Sequence, residues 1–496
     1  MSETKSFDAE FEKFDAEFRE EGMRGAIFSL RAGRPWMTNA TLCLLGFGLL
    51  LLTKEYAWEY GGAGHFVIGG SGCSGWSVWV YVAAVAVVMT QPVDRATWWI
   101  IVGFAVGLRA VLVFGEPFSS SDIYRYVWDG IVQHAGVNPY RYVPGDKALS
   151  YLRAPNQDVF DGINRRDYAH TIYPPVAQMI YCLVTWFSPT VTAMKAAMVG
   201  FECVAAGAMV WLLRAMGRRR EEALLYAWCP VVVWEIAGGG HVDAAVIAFV
   251  VLALLFRYKE QPMWVGLFLG LAVFTKFYPA VLFPALYKRA DWKMPAVVVA
   301  VGAGGYAVYS SVGMGVFGFL AGYKKEEGID SGVRFFLLEL AQRVRGLERL
   351  PVSAYMVFCV AVLGGISVWA WRRATVETIV FPTHAQNART NGAPVFLQAG
   401  MLLGFAMMLL FSPHYAWYIV WLTPFFVLTP NLPLLVYVLM FFYMFTTALA
   451  DGTSPKMFVL NEWLYGVVAL AVVVQVLLRR WTLRRILRIG ESRQQL

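Results

Sequence analysis

The chain has 496 residues, of which 58% are hydrophobic, 16% aromatic and only 15% charged, with a formal net charge of +8. Soluble domains carry about a quarter charged residues, so the composition excludes a water-soluble protein and indicates an integral membrane protein. The basic residues sit in short blocks between apolar runs, as the positive-inside rule requires, which excludes a nucleic-acid-binding surface.

The first 35 residues are polar and repeat Phe7-Asp-Ala-Glu-Phe11 as Phe14-Asp-Ala-Glu-Phe18. On a helix this spacing lines the phenylalanines along one face, so segment 1–35 is either an amphipathic helix on the cytoplasmic side or a disordered tail. Arg24, Arg31 and Arg34 place this end in the cytoplasm, and residues 36–496 form one transmembrane domain. The first apolar run, Thr41 to Leu52, is followed by no A-x-A-like site and reads as a span, not a cleaved signal.

With basic residues as inside markers, spans near 37–53, 76–90 and 97–114 run out, in and out. They deliver Ser119-Ser120-Ser121-Asp122-Ile123-Tyr124-Arg125-Tyr126-Val127-Trp128-Asp129-Gly130 to the extracytoplasmic face. The stretch from Gly115 to about Ile172, rich in Tyr, Pro, Asp and Arg, is predicted to be a small packed cap. If Tyr173–Phe187 and the run 192–213 both crossed, Arg218-Arg219-Arg220 would lie outside. Tyr173–Phe187 is therefore predicted to be re-entrant or interfacial, making 115–190 one extracytoplasmic region.

Spans 222–237 and 242–257 bracket the outer turn Gly238-Gly239-Gly240-His241-Val242-Asp243. Lys259 and Lys288-Arg289 are both inside markers, yet too few residues separate them for two full crossings, so the segment must turn back at Lys276-Phe277-Tyr278-Pro279. Span 294–311 leads to a second extracytoplasmic loop, 312–350, and spans 351–371, 394–412, 415–429, 433–450 and 462–478 complete the set. The predicted fold is an all-α polytopic bundle of about 12–14 transmembrane helices. Six cysteines (Cys43, Cys73, Cys182, Cys203, Cys229, Cys359) form no C-x-x-C, so neither a metal cluster nor a disulfide framework is indicated.

The topology gathers Asp122, Tyr124, Arg125, Trp128, Asp129, His170, Tyr173, His241, Asp243, Lys276, Tyr278, Arg334, His414 and Trp417 on the outer side. Ionisable residues at membrane depth are costly, so their convergence marks a functional site. Each also has a plainer reading. Asp122 could cap a helix, and His241 and Asp243 could belong to a tight glycine turn. Lys276 could snorkel to headgroups, and His414 with Trp417 could sit in an interfacial aromatic belt.

Several stretches, in order, carry a family resemblance: Ser120-Ser121-Asp122-Ile-Tyr124-Arg125-Tyr-Val-Trp128-Asp129-Gly130, Gly136-Val-Asn138-Pro139-Tyr140, Tyr173-Pro174-Pro175, Gly240-His241-Val-Asp243, Lys276-Phe-Tyr278-Pro279 and Trp417-Tyr418-Ile-Val-Trp421-Leu-Thr-Pro424. Together they resemble the GT-C superfamily of integral-membrane glycosyltransferases, and in particular the bacterial and archaeal polyprenol-phosphate-mannose-dependent mannosyltransferases. The resemblance implies a GT-C fold with a large first catalytic loop outside the plasma membrane and Asp122 as catalytic carboxylate. It also implies a polyprenyl-phosphate sugar donor, a lipid-linked or glycan acceptor, and inversion at the sugar.

The residue types fit that chemistry. Asp122 can take the proton of an acceptor hydroxyl, and Lys276, with Arg125 or Arg334, can neutralise a departing lipid phosphate. Tyr124, Trp128 and Trp417 offer flat faces to a sugar ring. A lipid-linked donor is preferred to a sugar nucleotide because no G-x-G-x-x-G follows a strand, and the lack of an obvious pair of hard oxygen ligands predicts metal independence. A transporter or flippase of a lipid-linked sugar would share the many spans and buried charges, but the two halves show no repeat and the long acid- and aromatic-rich loop suits an enzyme. A scaffold subunit with an inactive fold of this type is the third reading, against which the presence of Asp122 stands.

Overall fold

The computed structural model describes residues 34–60, 70–118, 120–380, 393–448 and 454–494. The tandem echo and most of the predicted N-terminal segment, residues 1–33, lie outside them. Helix is the sole regular structure among the described residues. In a hydrocarbon layer this is expected, because a helix satisfies its own backbone hydrogen bonds.

The first three helices, α1 (Pro35–Tyr60), α2 (Gly70–Thr90) and α3 (Arg95–Val113), form an antiparallel group. Next come α4 (Asp122–His134), α5 (Pro175–Phe187) and α6 (Val191–Ala215), then a broken segment, then α7 (Asp243–Tyr258) and α8 (Pro262–Val273). The chain continues through α9 (Lys293–Val308), α10 (Val352–Val380) and α11 (Val395–Phe411), and ends with α12 (Leu432–Ala448) and α13 (Ser454–Gln494).

Among the described residues, five helices are long and apolar enough to cross a membrane: Pro35–Glu55, Arg95–Val113, Val191–Ala215, Val352–Arg373 and Met457–Leu478. The other expected crossings are shorter or interrupted, which lowers the number of uninterrupted spans below the count of apolar runs. Ala416–Leu428 is a short apolar helix whose last seven residues are almost wholly buried. The expected span 222–237 is split into Arg220–Ala223, Leu224–Ala227, Pro230–Val232 and a π-helix, Val233–Gly238. Pro230 removes a helical N–H, and the carbonyls released around it find side-chain donors. Tyr81 Oη donates to Leu225 O (2.6 Å) and the buried Arg109, paired with Glu202, to Ala227 O, while Trp228 of the broken segment donates its Nε1–H to Ile101 O inside α3 (2.9 Å). Irregular backbone at membrane depth is tolerable when protein covers it in this way.

The segment between the two basic ends does turn back. Helix α8 stops at Val273, the chain kinks through Lys276, and Tyr278–Leu282 and Phe283–Leu286 return. The base of this hairpin closes where Lys288 Nζ meets Glu260 Oε1 at 2.6 Å. Helix α5, at 13 residues, spans only about 20 Å and falls short of a crossing. It packs on α4, where Gly130 permits the approach: a Cβ there would lie 2.7 Å from the Tyr181 carbonyl oxygen. The loop after α4 has a core of its own, built from Trp128, Val132, Leu149, Phe160 and Ile163.

A chain of contacts gathers the basic helix ends on one face. Arg219 reaches Val88 O (2.9 Å), Arg218 reaches Leu428 O (2.9 Å), and Tyr258 reaches Ala215 O (2.9 Å). Arg220 lies over Trp98, Lys259 over Trp211, and Arg289 over Trp371. The opposite ends of α3, α6, α7 and α11 converge on the other face, together with the first residues of α4 and the tip of the hairpin.

Candidate active site

Two acids open helices on that second face. Asp122 is the first residue of α4; the N-cap position belongs to Ser121, which makes no side-chain capping bond. The plainer expectation, Asp122 as the cap, is therefore replaced by a position inside the first turn, where free N–H groups and the helix dipole favour a carboxylate. Ser120 Oγ accepts the Asp122 N–H at 3.1 Å and fixes the turn. The Asp122 carboxylate is half-buried and has no hydrogen-bonding or ion-pair partner among the described residues.

Asp243 opens α7 and is wholly buried. Lys276 Nζ lies 2.6 Å from its Oδ2, and the Tyr278 hydroxyl donates to Oδ1 at 2.8 Å. The kink that carries Lys276 is held by Thr275 Oγ1 donating to Leu271 O (2.7 Å) and by the Val176 N–H donating to Phe274 O (2.9 Å). Lys276 is thus presented at the tip of a hairpin, and its charge is spent on Asp243, not on snorkelling.

Tyr126 links the two acids and lies within electrostatic reach of both. Its ring is stacked on Tyr181 (4.6 Å between centroids) and meets Tyr173 edge-on (4.9 Å). Burial first, and then the Asp122 charge, pushes the Tyr126 and Tyr173 hydroxyls well above the ordinary tyrosine range, so both keep their protons. The two loops also touch directly. Gly240, at φ +70°, has no room for a side chain, because a Cβ would collide with Ile123 Cδ1.

A third wall comes from 3₁₀-helix Ala416–Leu422 and the loop before it. The Tyr418 ring stands between two cations, Lys276 Nζ at 5.5 Å and the Arg334 guanidinium at 5.8 Å, and its hydroxyl bonds that of Tyr323. Arg334 is buried and paired with Glu327. His414 sits in the loop after α11, where burial and then the neighbouring Arg334 charge push it down to about 4, so it is neutral at physiological pH. Trp417 is sandwiched, with Tyr415 stacked on one side (4.6 Å) and His241 on the other (4.5 Å). His241 is fully buried, with Glu235 Oε2 3.4 Å from its Nε2.

The remaining residues expected at the site hold it up from behind. Trp128 is 1% exposed in the core of the cap, against Phe160, and has no free face for a sugar. Tyr124 covers Gly162, with its hydroxyl 3.5 Å from Glu116. Arg125 does not turn to Asp122; its Nε donates to Asp129 Oδ1 (2.7 Å) and its Nη1 to Ala169 O (3.0 Å). Asp129 also accepts from Gln178 (2.8 Å), and His170 Nδ1 contacts Tyr140 O (3.1 Å). Helix geometry accounts for Trp128, which lies about 120° around α4 from residue 122, whereas Arg125 and Asp129 are turned away by their bonds to each other, Ala169 and Gln178.

Sequence reasoning passed over Lys195, Glu235, Tyr126, Tyr181 and Glu327. The first two were marked only by being charges inside apolar runs, Lys195 sharing Val191–Leu213 with Glu202 and Glu235 standing alone in Val231–Ile236.

An all-helical membrane bundle that gathers two helix-opening acids, two cations and flat aromatic faces at one end has the parts of a membrane-embedded glycosyltransferase. The chain belongs to the family described as alpha-(1->6)-mannopyranosyltransferase, N-terminal domain, whose model matches residues 34–289. Glycosyltransferase family 87 matches residues 171–413. The two matches overlap over 171–289, which contains Tyr173, His241, Asp243, Lys276 and Tyr278. No curated protein and no solved structure matches the chain. The protein is a membrane glycosyltransferase of mannosyltransferase type, acting on a sugar donor and a glycan or lipid acceptor.

Proposed function

We propose that the chain transfers mannose from a polyprenyl-phosphate carrier to a hydroxyl of a lipid-linked or glycan acceptor, at the extracytoplasmic face of a bacterial or archaeal plasma membrane. The observation that carries this reading is the Asp122 carboxylate, without a hydrogen-bonding or ion-pair partner among the described residues, on the same face as a wall where Lys276 and Arg334 flank one tyrosine ring. In the first catalytic region, 115–190, Asp122 takes the proton as the acceptor oxygen attacks C1 of the sugar. The C1–O bond to phosphate breaks, and its electron pair leaves with the lipid phosphate. Lys276, with Arg334 behind Tyr418, stabilises the charge that grows on that phosphate.

Attack opposite the leaving phosphate inverts C1, so a β-linked phosphosugar gives an α linkage. The family description names the same configuration and a 1→6 bond. The cationic role falls to side chains, and the transfer needs no divalent ion. In this reading the neutral His414 and the protonated Tyr173 orient the sugar, while Trp417, whose two faces are taken by Tyr415 and His241, offers it no flat platform and instead holds the wall together. Loop 312–350 supplies Arg334 and closes over the cap through Arg165–Glu326 (2.7 Å).

The test is an assay of purified protein with radiolabelled polyprenyl-phosphate-mannose, polyprenyl-phosphate-glucose and a nucleotide-linked mannose, each with and without EDTA. Mannose transfer that survives EDTA is expected; transfer from a nucleotide sugar alone would overturn the lipid-donor reading. Sidedness is read by cysteine labelling in sealed cells: position 146 should react from outside and position 219 only from inside.

A further inference from the structure

Lys195 is wholly buried one turn into α6, remote from the basic face. Its ammonium donates to Leu112 O at 2.6 Å and Gly115 O at 2.8 Å. These carbonyls belong to the last turn of α3 and to the start of the connection that ends at Asp122. Leu112 O already accepts the Gly115 N–H at 3.1 Å, and the ammonium adds a charged donor there and on Gly115 O, at a helix C-terminus where a cation is favoured. The stem of the same side chain lies beside Gly240, with Cγ 3.1 Å from where a Cβ would stand, and Gly240 in turn abuts Ile123. One side chain therefore fastens the end of α3, backs the turn that leads to Asp243, and bears through Gly240 on the first turn of α4.

A buried ammonium is costly unless its hydrogen bonds are met, and an apolar residue would fill this site between helices at lower cost. The geometry is explained if the two bonds are needed to fix the loop. We propose that Lys195 is a positioning residue, which sets the 115–121 connection and thereby the placement of the Asp122 carboxylate without touching substrate. This inference rests on the reading of Asp122 as the base.

The test uses Lys195→Met, which keeps the stem and removes both bonds, and Lys195→Gln, which can restore one. Hydrogen exchange of the 112–122 peptide and steady-state kinetics with polyprenyl-phosphate-mannose are measured on full-length protein. Lys195→Met should raise exchange in that peptide and lower kcat by about 10–100-fold, since small misplacements of a reacting group have effects of that order. KM for the donor should stay within about twofold, and Lys195→Gln should fall between Met and the parent in both readouts. Unchanged exchange, unchanged kcat, or a Gln variant no better than Met overturns the proposal. If the Met variant does not fold, raised exchange and lowered kcat in the Gln variant sustain the proposal, and their absence overturns it. Asp122→Asn, assayed alongside, separates the two readings: near-normal turnover there removes the base assignment, while the exchange result still reports whether Lys195 holds the loop.

Discussion

Asp122 and Asp243 both open helices on the same face, and Tyr126 lies within reach of each, yet their surroundings are opposite. Asp243 is wholly buried, with Lys276 on one oxygen and Tyr278 on the other. Asp122 is partly open and keeps its oxygens unengaged by the described residues. A carboxylate already saturated by a lysine and a phenol is a poor proton acceptor, whereas one with free lone pairs at a helix N-terminus can receive a proton. The difference supports the proposal of proton transfer at Asp122, while Asp243 holds the Lys276 cation.

The largest expected effect separates the two acids by activity. Asp122→Asn keeps the size and removes the proton acceptor, so turnover should fall by about 10²–10⁴-fold with donor binding and thermal stability near the parent values. Asp243→Asn should behave in the opposite sense. It leaves a largely buried lysine without its counter-charge, and breaking such a pair costs about 3–5 kcal/mol, read as a lowered thermal midpoint in detergent. If Asp122→Asn proved the unstable variant and Asp243→Asn the stable, inactive one, the assignments would have to be exchanged.

Lys276→Met sharpens the comparison from the cation's side. If Lys276 meets the donor phosphate as proposed, loss of that charge-assisted contact costs on the order of 1.5–3 kcal/mol, or roughly a 10- to 150-fold rise in donor KM. The same substitution leaves Asp243 with Tyr278 alone, so some stability should be lost as well. A stability loss with donor affinity unchanged would make Lys276 a structural partner of Asp243 and no more.

How much of this was legible in the sequence depended on where the signal lay. The hairpin could be read because Lys259 and Lys288 cannot both be inside unless the chain returns, and the Glu260–Lys288 contact closes its base. Asp122, Asp243 and Lys276 could be read because each interrupts an apolar run at a turn. Trp128 was misread as a sugar platform, because neighbourhood in sequence says nothing of which side of α4 faces the cap core. Arg125 was misread for a similar reason: Asp129, one turn on, was a nearer partner than Asp122. Lys195 and Glu235 were hidden because their partners, two backbone carbonyls and a histidine, are fixed by packing and leave no local pattern. The extra breaks in 220–238 were legible only at Pro230; the side chains that satisfy the freed carbonyls come from α2 and α3.

The smallest expected effect concerns His414, which flanks the Arg334 side of the cation pair. Its ordinary value is about 6.5, and burial with the Arg334 charge pushes it down to about 4 in the folded protein. The folded state therefore binds this proton less readily than the unfolded state. The sign follows: the neutral histidine costs nothing above about pH 6.5, and as the pH falls from there toward 4 the unfolded state takes up a proton that the folded state refuses. Stability should drop over that window, by at most about 1.4 kcal/mol per pH unit. His414→Gln removes the titrating group while keeping a polar side chain of similar reach. Between pH 7 and pH 5 the thermal midpoint of the parent should fall further than that of His414→Gln, after the change common to both is subtracted. Equal falls would mean that His414 is charged or solvated in the folded protein, and Arg334 would then face the donor phosphate beside a second cation instead of a neutral ring.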